Sequence, residues 1–246
     1  MKLLANKVII VTGGNGLLGR DIISKLFAEG AICINVDINH QTSDDFRTYK
    51  CDITIPAQID NCVLEILKKY KKIDGLVNNA YPRTNDWGKK FEDVELASWR
   101  LNVDMQLNSS FYLIQQVSKS MVSNKSGSII NMASVYGIVG PDFGVYTGTS
   151  MTMPAAYSAI KGAIVNFTRY LSSYLGPYNV RVNCISPGGI YDNQPTTFVD
   201  NYENKVPMRR MGKPEDISPL VCFLLSHGSS YITGQNIAID GGWTAI

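Results

Sequence analysis

The chain has 246 residues, 45% apolar and 18% charged, with 23 basic and 21 acidic side chains and a net charge of +2. A chain this long hides roughly three quarters of its unfolded surface, so it builds a full core without help from disulfides or metals. Neither sign of charge forms a block, which leaves no footprint for nucleic acid or an anionic membrane. No apolar run of about 18 residues occurs, and no secretory cleavage pattern follows the first apolar stretch, so a cytoplasmic protein without a membrane span is expected. The cysteines Cys33, Cys51, Cys62, Cys184 and Cys222 are odd in number and contain no CxxC, so they read as small core residues of a reducing compartment. Only His40 and His227 are histidines. Neither has a neighbour at ligand spacing, which argues against a metal site and against a Ser-His-Asp hydrolase.

In chain order, Lys7–Thr12 predicts a strand and Leu17–Glu29 a helix with Leu18, Ile22, Ile23, Leu26 and Phe27 to one side. Strands follow at Ala31–Val36 and Tyr49–Cys51, then a helix at Pro56–Lys69 and a strand at Gly75–Asn78. One long helix is expected over Leu96–Ser123, then a strand at Ser128–Met132, a helix at Ala155–Leu175 and a strand at Val180–Ile185. A helix over Glu215–Leu225 and a strand over Asn236–Ile239 complete the set. Strands that are apolar throughout are buried on both faces. Alternating with helices, they predict an α/β fold of the doubly wound Rossmann type, with about seven parallel strands in a single domain over 1–246. Ligands in such sheets bind beyond the carboxyl ends of the strands.

The chemistry-bearing motifs fall at those ends. Thr12-Gly13-Gly14-Asn15-Gly16-Leu17-Leu18-Gly19 joins the first strand to the first helix, where glycines let the backbone approach a pyrophosphate and the helix N-terminus offers free N–H groups. Asp37 ends the second strand. A carboxylate there accepts hydrogen bonds from both ribose hydroxyls and repels a 2′-phosphate, which favours NAD(H) over NADP(H). Asp52 follows the third strand, where it either bonds an adenine amine or caps the next turn. Asn78-Asn79-Ala80 closes the fourth. Tyr157 and Lys161 are four apart on a predicted helix and share a face. A phenol of pKa about 10 is a poor base, and a nearby ammonium and a nicotinamide cation would favour the phenolate. Ser134 stands after the fifth strand, placed to donate to a substrate oxygen. Asn102, inside the long helix, is an unfavoured residue that a bend or a bound water would rationalise.

Together these residues resemble the short-chain dehydrogenase/reductase family over essentially the whole chain. Val182-Asn183 leading into Pro187-Gly188, then Gly234 and Asp240-Gly241-Gly242, complete the likeness. The resemblance implies a catalytic tetrad of Asn102, Ser134, Tyr157 and Lys161. It implies nicotinamide contacts from Thr12, Gly13, Asn15, Gly16, Leu17, Leu18, Asp37, Cys51, Asp52, Ile53, Asn79, Ala80, Tyr81, Tyr157, Lys161, Pro187, Gly188 and Ile190. It further implies a small-molecule substrate, a homotetramer or homodimer, a substrate lid over about 189–212, and a C-terminal tail packed at a subunit interface; the sequence alone equally allows a tail packed on its own domain.

Three departures stand out. The loop glycines are spaced TGxxGxxG. Ser134 and Tyr157 lie 23 apart, against about 13 in short members, and Pro141–Ser150 makes up the excess. Tyr81 replaces the glycine of NNAG, and no threonine closes a PGxxxT pattern after Pro187. The inserted residues are rich in Tyr, Thr, Ser and Gly and the lid adds Asp192, Asn193 and Gln194, which suits a polyhydroxylated substrate better than an acyl chain. Within the family the chain looks most similar to sugar and polyol oxidoreductases of the gluconate 5-dehydrogenase type. The alternatives are a 3-oxoacyl-carrier-protein reductase, a sugar-nucleotide epimerase and a non-catalytic dinucleotide sensor.

Overall fold

The computed structural model of the protein describes residues 2–39, 41–43 and 47–246; His40, considered above as a metal ligand, lies outside the described residues. Seven parallel strands form one sheet: β1 (Val8–Thr12), β2 (Ile32–Asp37), β3 (Thr48–Lys50), β4 (Gly75–Asn78), β5 (Gly127–Met132), β6 (Val180–Pro187) and β7 (Asn236–Ile239), in the order β3-β2-β1-β4-β5-β6-β7. The order reverses at β1, whose two neighbours are β2 and β4. Such a reversal opens a crevice at the carboxyl ends of the strands. All five residues of β1 and all four of β4 are buried, because helices cover both sheet faces.

One face is covered by α2 (Pro56–Tyr70), α4 (Ser109–Ser123) and α5 (Ala155–Leu175), whose apolar stripes interlock with Val8, Ile10, Ile34, Leu76 and Ile129. The other is covered by α1 (Leu17–Ala28) and α7 (Pro214–Leu225), against Ile9, Val11, Val77, Ile130 and Ile185. The alternation of partners along β1 follows from the period of two in a strand. Each fully buried Ile or Leu in these layers contributes roughly 1.5–3 kcal/mol.

The expected single helix over 96–123 is not continuous. It runs as α3 (Leu96–Val103), then a π-helical turn at Asp104–Asn108, then α4. A π turn inserts one residue into the helical repeat and redirects the side chains that follow it. A helix absent from the expected set, α6 (Thr196–Lys205), lies in the segment after β6. Most of its residues are polar, and only Phe198 and Tyr202, four apart, are buried.

All five cysteines are buried and unbridged, and burial pushes Cys184 and Cys222 up to about 11. No described helix is long and apolar enough to cross a membrane. Among the described residues no group of three His, Cys, Asp or Glu is placed to hold a metal ion.

Candidate active site

A cavity of about 770 Å³ opens along the carboxyl ends of the strands, from the β1–α1 loop at one end to α5 and α6 at the other. At the loop end, Gly13 has φ +65°, and a Cβ there would meet Ala80 Cα at 2.9 Å. A side chain at Gly19 would collide with the Gly13 carbonyl, so loop and helix pack only with glycine at both places. The first turn of α1 carries no side-chain cap and no acidic residue. Its amide groups and its positive dipole end are thus left for an anion. Asp37 is 6% exposed and lines the cavity. One of its carboxylate oxygens accepts the Asn15 N–H at 3.0 Å, the other the Asn39 N–H at 2.9 Å. Asp37 therefore braces the loop, with lone pairs left over for a ligand. Asp52 lines the cavity as well and caps the next turn, accepting the Thr54 N–H and hydroxyl at 2.9 and 2.7 Å. These features fit the pyrophosphate and ribose of a dinucleotide.

Thr12 differs from expectation. It is fully buried and does not line the cavity. Its hydroxyl accepts the N–H groups of Asn79 and Ala80, both at 3.0 Å, while the Asn79 amide donates to the Thr12 and Gly13 carbonyls. Thr12 stitches the two loops together from behind. The other residues expected to hold the cofactor all line the cavity.

At the chemical end, Ser134 stands just beyond β5, and Tyr157 and Lys161 sit in the first two turns of α5. All three line the cavity. The Tyr157 phenol is held high by burial, an effect partly offset by its hydrogen bond with Ser134. The lowering expected from Lys161 is not seen. Lys161 is 8% exposed and donates to the Met132 carbonyl at 2.7 Å, with its Nζ above the Tyr157 ring, 5.5 Å from the centroid. The ammonium is turned toward the strand end and the ring face. Burial lowers its own pKa to about 8.

Asn102 does not reach this cluster. Its Oδ1 accepts the Thr84 N–H at 3.2 Å, and its Nδ2 donates to Thr84 Oγ1 at 2.8 Å and the Ser98 carbonyl at 2.9 Å. Every polar atom of that side chain is committed to tying the loop after β4 onto α3, and Asn102 is absent from the cavity wall.

The protein-family model described as enoyl-(acyl carrier protein) reductase matches residues 18–244. The chain is 33% identical to the NAD-dependent glycerol dehydrogenase of Listeria innocua, covering 98% of this chain and 95% of that one. It is 32% identical to the 3-oxoacyl-[acyl-carrier-protein] reductase of Chlamydia trachomatis serovar D, over 98% of each. A solved short-chain dehydrogenase from Leptospira borgpetersenii with bound NAD+ superposes with a TM-score of 0.89 at 35% identity, covering 98% of this chain and 94% of that one. The chain belongs to the short-chain dehydrogenase/reductase family. It is an NAD-dependent oxidoreductase of that family.

Two features of this dehydrogenase were not anticipated. Gln106 is 4% exposed, and neither side-chain heteroatom has a partner. It lies on the π turn, which packs against α5, the helix of Tyr157 and Lys161. Asn102 and Gln106 both stand out as amides inside an apolar helical pattern, but only the π turn separates their surroundings. The second feature is the insertion at 141–150, expected as a polar rim. It is a docked wall: Val145 and Tyr146 are buried, and the Tyr146 ring packs 5.3 Å from that of Phe198 on α6. The Asn201 amide binds the carbonyls of Val145 and Thr147, and Lys205 pairs with Asp142. In the C-terminal tail, Trp243 packs on its own chain, stacked on Tyr202 at 4.7 Å between centroids, while Ile246 is exposed. The Tyr202 hydroxyl in turn accepts the Gly189 N–H at 2.6 Å. The segment 189–212 closes at its base, where Gly212 N–H donates to the Gly189 carbonyl and Tyr191 N–H to the Gly212 carbonyl, each at 2.9 Å.

Proposed function

We propose that this enzyme interconverts a hydroxyl and a carbonyl on a sugar, sugar derivative or polyol, with NAD(H) preferred over NADP(H). The observation that carries this reading is the grouping of Ser134, Tyr157 and Lys161 on one wall of a cavity whose other end presents Asp37. In reduction the Tyr157 phenol donates its proton to the carbonyl oxygen, and in oxidation the phenolate takes it back. Ser134 holds that oxygen in place. Lys161, beside the Tyr157 ring, offers its ammonium to ribose hydroxyls. The place in the tetrad that the resemblance gave to Asn102 passes to Gln106, whose buried, unpartnered amide is suited to bind a water connecting Lys161 to solvent. When bound, the nicotinamide supplies or accepts the hydride. Segment 189–212 acts as the lid.

The substrate class rests on Tyr146, Thr152, Asp192 and Gln194, which bring polar groups to the cavity wall, and on the similarity to a glycerol dehydrogenase. A 3-oxoacyl-carrier-protein reductase is the second reading. It is favoured by the family description, by the chlamydial relative, and by Met151, Met153, Phe198 and Met211 in the same wall. A cytoplasmic homo-oligomer completes the proposal. It is supported by the exposed aromatic row Phe111, Tyr170 and Tyr174 on α4 and α5.

The test is side-by-side binding of NADH and NADPH, followed by turnover on polyols, sugars and 3-oxoacyl thioesters. Tighter NADH binding with turnover confined to polyols or sugars is expected. NADPH preference with thioester turnover would replace the first reading by the second.

A further inference from the structure

Tyr81 stands where the family pattern has glycine, and its ring builds a nest around the chemical group. It meets the Tyr157 ring edge to face at 5.6 Å and the Trp87 ring at 5.7 Å. Arg83 lies across the same ring, its guanidinium carbon 5.4 Å from the centroid. These two separations put the guanidinium at most about 11 Å from the Tyr157 ring, the reach of an extended polyol chain with a terminal substituent.

Arg83 lines the cavity and forms no ion pair within 4.0 Å among the described residues. The carboxylate nearest it in sequence is committed elsewhere: Asp86 accepts the Ser98 hydroxyl at 2.7 Å and pairs with Lys89 at 3.7 Å. Lys161, the other cation in the wall, is buried and bound to Met132. The backbone beside Arg83 is held by Asn102 through Thr84, so the guanidinium springs from a fixed position. Here the Tyr81 side chain supports it, through its ring and through a hydrogen bond to its hydroxyl, and the guanidinium's remaining N–H groups face no carboxylate, an arrangement that suits a planar or tetrahedral oxyanion.

We propose that Arg83, supported by the Tyr81 ring, is a subsite for an anionic oxygen group, a phosphate monoester or a carboxylate, at the far end of the substrate. This inference rests on the sugar or polyol reading and narrows it to acidic or phosphorylated members. Asp192, the carboxylate on the lid side of the cavity, sets the rival role, in which Arg83 latches the lid.

The experiment compares sorbitol, sorbitol 6-phosphate and gluconate with wild type, Arg83→Gln and Arg83→Lys, as turnover with NAD+ and as equilibrium binding to the NADH-loaded protein. An anionic member is expected to exceed sorbitol at least tenfold in kcat/KM and in affinity. That ratio should fall at least tenfold in Arg83→Gln, through KM, and partly recover in Arg83→Lys. Preference for sorbitol 6-phosphate identifies the group as phosphate, and preference for gluconate as carboxylate. Equal loss on charged and neutral compounds would make Arg83 a latch, weakened NADH binding would assign it to the cofactor, and the absence of any preference would remove the subsite. Each of these overturns the proposal. If none of the three turns over but sorbitol 6-phosphate or gluconate still binds through Arg83, the subsite stands and the polyol reading falls.

Discussion

Lys161 has one fixed hydrogen-bond acceptor and almost no contact with water, a costly setting for a charge. Its pKa of about 8 lies below the ordinary lysine value. Between about pH 8 and that ordinary value the unfolded chain therefore binds more protons than the folded one, and stability rises with pH across that window. At pH 7 the buried ammonium is charged and its desolvation is unrelieved. Lys161→Met should raise the melting temperature at pH 7 by a few degrees, with a gap that narrows toward pH 10. It should also reduce kcat at least a hundredfold, both readable from melts and steady-state rates. Because burial holds the Tyr157 phenol high, oxidation rates should climb with pH from neutrality upward, and Tyr157→Phe should lose a factor of roughly 10²–10⁴ while still binding NADH. Tyr157 and Lys161 were legible because four residues on a helix fix a shared face. The direction in which the Lys161 ammonium turns was not, since the Met132 carbonyl that accepts it comes from a strand 29 residues away.

The π turn and the lid are where elements departed from their patterns. A single π turn shifts the phase of 96–123 by one residue without interrupting the helix, so neither the break nor the different surroundings of Asn102 and Gln106 could be read from spacing. A buried amide without partners costs about 1–3 kcal/mol, and its persistence points to a use. Gln106→Leu should keep or raise the melting temperature and lower kcat at least tenfold. A lower melting temperature with kcat intact would mark the amide as structural. Helix α6 escaped notice because most of its residues are polar and only Phe198 and Tyr202 are buried, a face that acquires meaning only when Trp243 and Tyr146 pack on it. Trp243→Ala should cost about 3–5 kcal/mol of stability, or less if the lid alone loosens. In the latter case kcat and KM should change together, as expected when a covering element is untied.

Across the whole molecule, the sheet was legible because its strands are apolar on both faces, and the cavity because the glycine loop, Asp37, Asp52, Asn79 and Ser134 all stand at or just after the ends of strands. What the chain could not announce was the aromatic layer of Tyr136, Tyr146, Phe198, Tyr202 and Trp243, whose members come from four distant segments. Assembly belongs to this scale as well. Glutamate at Tyr170 and Phe111 should shift the mass measured by light scattering from oligomer to monomer if the exposed row on α4 and α5 joins copies. One further consequence follows from the turn at Asn124 and Lys125, both exposed, between α4 and β5. Everything before it carries the dinucleotide end and Gln106, and everything after it carries Ser134, Tyr157, Lys161 and the lid. The seam between the halves is made by the β4–β5 pairing, with Gly75–Asn78 laid along Ser128–Asn131, and by α1 packed on α7. A chain cut at Lys125 should yield two inert fragments that regain turnover only on mixing, a natural split reporter in which neither piece holds both the electron carrier's seat and the proton donor.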